Sequence, residues 1–298
     1  MSSLAPRVVL VTRQTELSAL LARHGTRGQV GFYLSARGQT VEAVEARHTL
    51  QETAIATAKA AIPAEWTFAQ VERADLNRFL FFPNDIVVAL GQDGLVANLA
   101  KYLADQLVIG VTPDPELGEG VLTPHRLSAL PDLLRRTAAK DVEADLRTMV
   151  AADLAGGDSL LAMNELFIGH RSHQSARYDL SFGDTTEFQS SSGIIVSTGT
   201  GLTGWARSIM AATGIAHSFA ATEPTAAFFT REPWPSRHST ATLRTGEITA
   251  NETLSVTSRQ NEGGVIFADG IEQDFLCFDW GATATIHVAE KRLRAIRT

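Results

Sequence analysis

The sequence has 298 residues, of which 44% are hydrophobic, and this composition allows either one large domain or two domains with sizeable cores. The net charge of −7 argues against a nucleic-acid partner, because binding a phosphate backbone requires a basic surface. The single cysteine, Cys277, excludes an intramolecular disulfide and a multi-cysteine metal site.

The sequence gives no sign of membrane association or export. It contains no run of about twenty apolar residues, the length that a transmembrane helix requires. The N-terminus passes from Met1, Ser2 and Ser3 into a strand-like apolar segment and shows no signal-peptide pattern. We therefore expect a cytoplasmic protein with no membrane partner.

Strands and helices alternate through the first 122 residues. Apolar runs predict strands at 7–12, 66–71, 85–90 and 107–111, and helical periodicity predicts helices at 15–24, 40–61, 74–79 and 95–104. The glycine-rich segment 25–38 is not assigned. This alternation predicts a parallel, doubly wound sheet.

The character of the sequence changes after residue 122. Leucines and charged helix formers predict one or two connecting helices in residues 123–154. Beyond residue 160 the hydrophobic period approaches two, as in residues 243–248, 253–258 and 283–289, with Gly, Asn and Asp between such segments. This second region is therefore predicted to be all-β, with antiparallel sheets.

A tight turn follows the apolar strand at residues 86–90. Gly91 and Gly94 allow positive φ and close approach of a ligand, and Asp93 stands where the next helix begins. Ligands of open α/β sheets bind at the carboxyl ends of strands, and helix N-termini offer free N–H groups to phosphate. The turn alone is equally consistent with Asp93 being an ordinary capping residue.

Three later stretches join this turn: residues 161–165 with Asn164 and Glu165, residues 192–205 rich in Gly and Thr, and residues 263–270 with Asp269 and Gly270. In this order and spacing they resemble the motifs of the NAD kinase family over nearly the whole chain. The family's glycine-glycine-aspartate-glycine turn matches residues 91–94. Its asparagine-glutamate pair and its serine-threonine loop match residues 164–165 and 197–203.

The resemblance implies an N-terminal Rossmann-like parallel α/β domain and a C-terminal antiparallel β-sandwich domain. The first would comprise residues 1–122 with a returning segment at about 275–298, and the second residues 123–274. It also implies a homodimer or homotetramer that binds small-molecule nucleotides. The cofactors implied are ATP and Mg²⁺ or another divalent cation.

The resemblance further implies roles for individual residues. Asp93 would accept the proton of the 2′-hydroxyl on the adenosine ribose of NAD, while Gly91, Gln92 and Gly94 bind phosphate. An amide beside a carboxylate can hold a ribose diol, the role implied for Asn164 and Glu165; the alternative is a surface pair at a strand end. The remaining positions implied to bind substrate are Ser192, Thr200, Thr203, Gly204, Trp205 and His238.

Two of these roles have alternatives in the residues themselves. Trp205 is suited to stacking on a base, although a single aromatic residue is more often part of a core. His238, in a loop that contains Pro233 and Pro235, is equally suited to hydrogen bonding within that loop.

The sequence departs from the family pattern both in the glycine turn and at the positions implied to bind substrate. Gln92 replaces the second glycine of the turn, Ser192 stands where the family carries an aspartate, and Gly204 and Trp205 replace alanine and tyrosine. We therefore carry three hypotheses. The first is a kinase of NAD or NADH, the second a kinase of another sugar, nucleoside or lipid, and the third a non-catalytic sensor of NAD(P)(H).

Overall fold

The computed structural model of the protein describes residues 5–114, 120–237 and 239–297. The chain divides into two compact units. The first runs to Ala144 and includes the chain from Arg294 onward, and the second comprises Asp145–Leu293. The boundaries expected from the sequence lay at residue 122 and at about residue 275. They differ because helix residues after 122 pack on the first sheet, whereas Phe275–Cys277 pair within the second unit.

The first unit alternates strands and helices as the sequence predicts, with a 3₁₀ helix at Arg73–Arg78. In chain order its elements are Arg7–Thr12 (β1), Glu16–His24 (α1), Arg27–Ser35 (α2), Val41–Ala60 (α3), Thr67–Glu72 (β2), Ile86–Leu90 (β3), Asp93–Ala100 (α4), Leu107–Thr112 (β4), His125–Arg126 (β5) and Leu130–Ala138 (α5).

The sheet of this unit is parallel, and its strands β1, β3 and β4 are buried. Its strands lie in the order β2, β1, β3 and β4. Residues of α3 and α5 pack on one face, in a cluster with alternate residues of β1, β3 and β4. Val11 of β1 pairs with Ala89 of β3, so the residues that follow these two strands share one edge of the sheet. This edge carries the Gly91–Gly94 turn.

The second unit is built mainly from antiparallel strands. Its elements are Ala144–Leu154 (β6), Ser159–Ala162 (β7), Glu165–His170 (β8), Ala176–Phe182 (β9), Thr185–Ser191 (β10), Ile194–Thr198 (β11), Trp205–Thr213 (α6), Thr225–Thr230 (β12), Thr245–Thr249 (β13), Leu254–Ser258 (β14), Gly264–Ala268 (β15), Phe275–Cys277 (β16) and Thr283–Ile296 (β17).

Two antiparallel layers enclose the core of this unit. One layer has the order β10, β9, β14 and β17, and the other has the order β13, β12, β11, β8, β15 and β16. Buried side chains from both layers form one cluster, with Tyr178 and Leu180 from the first and Val196 and Phe228 from the second. The predicted class, α/β plus an antiparallel β-sandwich, is confirmed.

The final strand serves both units. Thr283–Ile286 of β17 pairs with β14 in the second unit, and Arg294 and Ala295 pair in parallel with Leu107 and Val108 of β4 in the first. The Nε2 atom of His125 lies 3.1 Å from the carbonyl oxygen of Ile296, which fixes the end of the strand further. The first sheet is therefore completed by a distant part of the chain.

The unassigned segment 25–38 contains helix α2. The Thr26 hydroxyl accepts a hydrogen bond from the Gln29 backbone N–H at 3.3 Å and caps the helix. Val30 and Leu34 are buried in a cluster with residues of α1 and α3. Burial of this face outweighs the low helix propensity of Gly28 and Gly31.

The later chain contains one of the one or two connecting helices predicted for residues 123–154, and it corrects the all-β expectation beyond residue 160. Residues 123–154 contain α5 but no second α-helix, because Lys140 turns the chain with φ of 58° and β6 then pairs with β7. Pairing and burial override the helix propensity of this segment. The region beyond residue 160 is not all-β, since Trp205–Thr213 forms α6, whose Ile209 and Met210 pack against the sheet.

Gly110 in β4 offers a test of the packing that fixes the loop after β4. A Cβ atom at Gly110 would lie 1.9 Å from the carbonyl oxygen of Leu122. We expect Gly110→Ala to lower the free energy of unfolding by about 3 kcal/mol, since the clash is with backbone. Gly28→Ala, where a Cβ has open space, is the matched control and should be neutral or stabilising. Equal urea midpoints for the two variants would contradict this packing.

Candidate active site

The Gly91–Gly94 turn connects β3 directly to α4. The Gly91 N–H donates to the carbonyl oxygen of Val111 at 3.0 Å, and Gln92 occupies the N-cap position with its side chain exposed. Neither Gly91 nor Gly94 has a positive φ, so that sequence expectation is wrong. A Cβ at Gly94 would meet nothing within 4 Å, which leaves bare backbone facing open space.

Asp93 holds the loop that follows β4. Its Oδ1 atom accepts hydrogen bonds from the backbone N–H groups of Leu122 and Thr123, each at 3.0 Å, and from the Thr123 hydroxyl at 2.9 Å. Its Oδ2 atom accepts from the Val121 N–H at 2.8 Å. A Cβ at Gly120 would lie 2.2 Å from Oδ1, so the loop approaches this closely only with glycine there. Oδ2 has more remaining acceptor capacity than Oδ1.

A cavity of about 390 Å³ opens beside this carboxylate. Its basic and acidic lining residues are Arg13, Glu16, Arg47, His48, Asp93 and Asp114, and its remaining lining residues are Gln14, Thr15, Val44, Leu50, Gln51, Gly91, Gln92, Thr112, Pro113, Gly120 and Thr123. Gln51 Nε2 lies 3.5 Å from the carbonyl oxygen of Leu90 and connects α3 to the turn. The cavity therefore joins three carboxylates with two arginines and a histidine, and these basic residues can contact a phosphorylated ligand.

The sequence interpretation missed the basic side of this cavity. Arg13 directly follows β1, and a residue in that position is expected at the carboxyl edge of the sheet. This was the first signal in the sequence. Val44, Arg47, His48 and Gln51 recur at helical spacing and share one face of α3. The polar residues on that face were the second signal of a binding site, but the sequence interpretation treated them only as part of a well-patterned helix.

In the second unit, Asp269 fixes the turn that presents Asn164. The Asp269 carboxylate accepts hydrogen bonds from the backbone N–H groups of Met163 at 3.0 Å, Asn164 at 2.7 Å and Glu165 at 3.3 Å. Asp269 has φ of 52°, a conformation that requires support from its surroundings. The late aspartate of the sequence motif is thus a backbone anchor.

The Ser197–Thr203 loop lies against the same turn. The Thr198 hydroxyl donates to the carbonyl oxygen of Met163 at 2.7 Å and accepts from the Gly201 N–H at 3.1 Å. A Cβ at Gly201 would lie 2.2 Å from the carbonyl oxygen of Asn164. Thr200 directly precedes Gly201, and its buried hydroxyl has no hydrogen-bond partner within the described residues. The structure thus brings Asn164, Glu165 and Thr200 together.

Glu165 is buried at the start of β8, pairing with Ser197 of β11. Loss of hydration on burial, with repulsion from the Asp269 carboxylate, raises the pKa of Glu165 to about 7. This side chain therefore changes charge near neutral pH, and its neutral form can donate a hydrogen bond as well as accept one.

Thr203, Gly204 and Trp205 continue from Thr200 into α6. The Thr203 hydroxyl donates to the carbonyl oxygen of Thr200 at 2.9 Å, and Gly204 precedes the first residue of the helix. The Trp205 ring lies parallel to Phe167 with centroids 6.1 Å apart, and the Arg231 guanidinium lies 5.1 Å from the Trp205 centroid. These contacts place Trp205 at the edge of an aromatic cluster; stacking on a base stays a prediction.

The two remaining predicted residues are not part of this group. Ser192 is exposed in the turn before β11, whereas Thr200 follows the other end of that strand. The structure therefore does not bring Ser192 together with Asn164 and Thr200 within the unit. His238 lies outside the described residues.

No protein-family model matches the chain, and no curated protein matches it. Among solved structures it matches an NAD kinase from Archaeoglobus fulgidus in complex with ATP, with a TM-score of 0.60 over 98% of this chain and 93% of that chain. The chain has an NAD kinase-like fold. At 17% sequence identity this likeness concerns the fold, and it leaves the reaction of this chain to be tested. No helix within the described residues has the length and hydropathy needed to cross a membrane.

The anchoring role of Asp93 predicts a local effect of Asp93→Asn. The amide keeps one acceptor atom and places an NH₂ group where backbone N–H groups converge, so we expect a loss of about 1–3 kcal/mol in unfolding free energy. Hydrogen exchange of the Val121–Thr123 amides should accelerate at least tenfold. Asp132→Asn, on the exposed face of α5, is the control. Unchanged exchange at all three amides would show that the anchor does not hold the loop.

The raised pKa of Glu165 predicts a pH dependence of stability. Because the folded state holds this proton more tightly than the unfolded chain, Glu165 leaves stability unaffected below its usual pKa of 4.5 and lowers it increasingly as pH rises to about 7. The full loss is about 3 kcal/mol. Glu165→Gln should therefore gain stability relative to wild type between pH 4.5 and 7 in urea unfolding. A constant difference across that range would contradict the shift.

Proposed function

We propose that the protein transfers the γ-phosphoryl group of ATP to the 2′-hydroxyl of the adenosine ribose of NAD or NADH. The observation that carries this proposal is the Asp93 carboxylate, which its loop contacts fix in a cavity that Gly91, Arg13 and Arg47 also line. Phosphoryl transfer depends mainly on positioning, charge neutralisation and an acceptor for the hydroxyl proton. The NAD kinase-like fold supports the assignment.

In the proposed step the ribose oxygen attacks the γ-phosphorus while the bond to the β,γ-bridging oxygen breaks and ADP leaves. The hydroxyl proton moves to Oδ2 of Asp93, the less occupied of its two oxygens. The bonds to Oδ1 hold the carboxylate in place, so that its orientation does not have to be established during the reaction.

We propose that Asn164 and Glu165 bind the ribose hydroxyls of a nucleotide. The unpartnered Thr200 hydroxyl supports this role, because a buried hydroxyl without a partner is costly and a ligand hydroxyl would satisfy it. Neutral Glu165 can donate to a ribose oxygen, and its anion can accept from a hydroxyl. Both forms are available near pH 7.

A divalent cation fits this cavity if it arrives with the nucleotide. No group of three or more His, Cys, Asp or Glu residues within the described parts of the chain is arranged to hold a metal. Mg²⁺ commonly binds through one or two carboxylates plus substrate phosphates, and Asp114 lines the same cavity as Asp93. Mg²⁺ bound to ATP would neutralise charge on the β- and γ-phosphates.

The deciding assay incubates the protein with ATP, Mg²⁺ and either NAD or NADH and measures NADP(H). We expect product with wild type and a fall in kcat of about 100-fold or more for Asp93→Asn, the size expected for removal of a general base. Asn164→Ala should raise KM for the dinucleotide more than KM for ATP. Absence of product from both acceptors would sink the proposal, and sugars or nucleosides would then be tested as acceptors.

Thr123→Val separates proton transfer from loop anchoring. The variant removes one hydrogen bond to Oδ1 but keeps the carboxylate. We expect it to reduce kcat far less than Asp93→Asn does. A similar fall for both variants would assign the effect of Asp93 to the loop rather than to the proton.

A further inference from the structure

The cavity of the first unit has a basic side to which neither the sequence motifs nor the fold comparison assigns a role. Arg13 extends from the end of β1, and Arg47 and His48 lie on one face of α3. These three side chains line the same cavity as Asp93 and Gly91. The sequence contains no Walker-type glycine-lysine loop, so another group must neutralise the charge of a polyphosphate.

Arg13 is available to a ligand. Its side chain is exposed and makes no hydrogen bond, ion pair or ring contact within the described residues. It lies at the carboxyl edge of the sheet, as the Gly91–Gly94 turn does. An arginine presents a planar fork of donors that matches two phosphate oxygens at once, so Arg13 suits a terminal phosphate.

Arg47 has a weak partner that a phosphate can replace. Its Nη2 atom lies 2.7 Å from Oε2 of Glu16, and both side chains are about half exposed, at 55% and 47%. Exposed ion pairs of this kind contribute at most about 1 kcal/mol. A polyphosphate carries more charge than one carboxylate, so it competes effectively for Arg47, while Glu16 repels it.

His48 is oriented by Thr15. The Nδ1 atom of His48 lies 2.8 Å from the Thr15 hydroxyl, which also caps α1 by accepting from the Ser18 N–H. The hydroxyl proton of Thr15 can point to Nδ1 of His48 while its oxygen accepts from the Ser18 N–H. The Thr15 hydroxyl also lies 2.9 Å from Ser18 Oγ. When the Thr15 hydroxyl donates to Nδ1, Nε2 carries the ring proton and offers an N–H donor to a ligand in the cavity.

We propose that Arg13, Arg47 and His48 bind the terminal phosphates of the phosphoryl donor, with Arg47 exchanging Glu16 for phosphate. This inference rests on the proposed function, because it names the donor-binding residues of that reaction. The ligand chemistry is a polyphosphate chain, which a nucleoside triphosphate and an inorganic polyphosphate share.

The test is calorimetric titration of the full chain with ATP, inorganic triphosphate and adenosine, each in Mg²⁺. We expect Arg13→Gln to weaken binding of ATP and of triphosphate at least tenfold, with Arg13→Lys restoring part of the loss. Arg23→Gln, an exposed arginine elsewhere on α1, is the matched control and should bind as wild type does. Triphosphate that fails to compete with ATP, or Arg13→Gln that binds normally, would overturn the assignment.

Glu16→Gln gives a second measurement with the opposite sign. Removal of this charge frees Arg47 and lessens repulsion, so we expect triphosphate to bind several-fold more tightly. Glu52→Gln, on α3 but outside the cavity lining, is its control. Weaker or unchanged binding by Glu16→Gln would contradict the exchange of partners at Arg47.

The proposed kinase reaction and the proposed phosphate-binding residues can be disproved by different results. If NADP(H) forms while Arg13→Gln leaves triphosphate affinity and KM for ATP unchanged, the kinase assignment stands and the phosphate assignment is wrong. If Arg13→Gln abolishes triphosphate binding but no acceptor is phosphorylated, the phosphate site stands and the reaction is wrong. Tight binding of inorganic triphosphate but not of ATP would point to an inorganic donor at the same residues.

Discussion

A carboxylate that gathers backbone N–H groups is the interaction on which the candidate residues of each unit depend. Asp93 holds Val121–Thr123 in the first unit, and Asp269 holds Met163–Glu165 in the second. Charged acceptors make stronger hydrogen bonds than neutral ones do, so each aspartate can fix a loop that has no regular structure. Asp93 is thus both the proposed proton acceptor and the anchor of the Val121–Thr123 loop. A change in activity on its mutation can therefore come from the loss of either role.

The fold was predictable where periodicity and burial agree. The apolar run of β3 and the glycine after it located Asp93 correctly at the end of a buried strand, because both signals are local. Where the secondary-structure prediction failed, tertiary packing determined the structure. Helix α2 forms in spite of two glycines because Val30 and Leu34 are buried, and residues 144–154 become a strand because they pair with β7.

The site was predictable only in part, for a related reason. The family resemblance predicted Asn164 and Thr200 as site residues, and the structure places the loop that contains Thr200 against the turn that contains Asn164. The partners of Asp93 lie about thirty residues further along the chain in an irregular loop, where no periodic pattern indicates contact. Arg13, Arg47 and His48 were missed because an exposed basic residue has the same sequence signature whether or not it lines a cavity.

The sharing of β17 between units has a consequence for the order of folding. During synthesis the whole α/β half emerges before the β-rich half, yet the edge of β4 at Leu107 and Val108 has no strand to pair with until Arg294 and Ala295 emerge. An unpaired edge is a template for wrong partners, including other nascent chains. The sheet of the first unit is therefore completed last although most of that unit is made first, and any delay leaves the amino-terminal end of β4 unpaired.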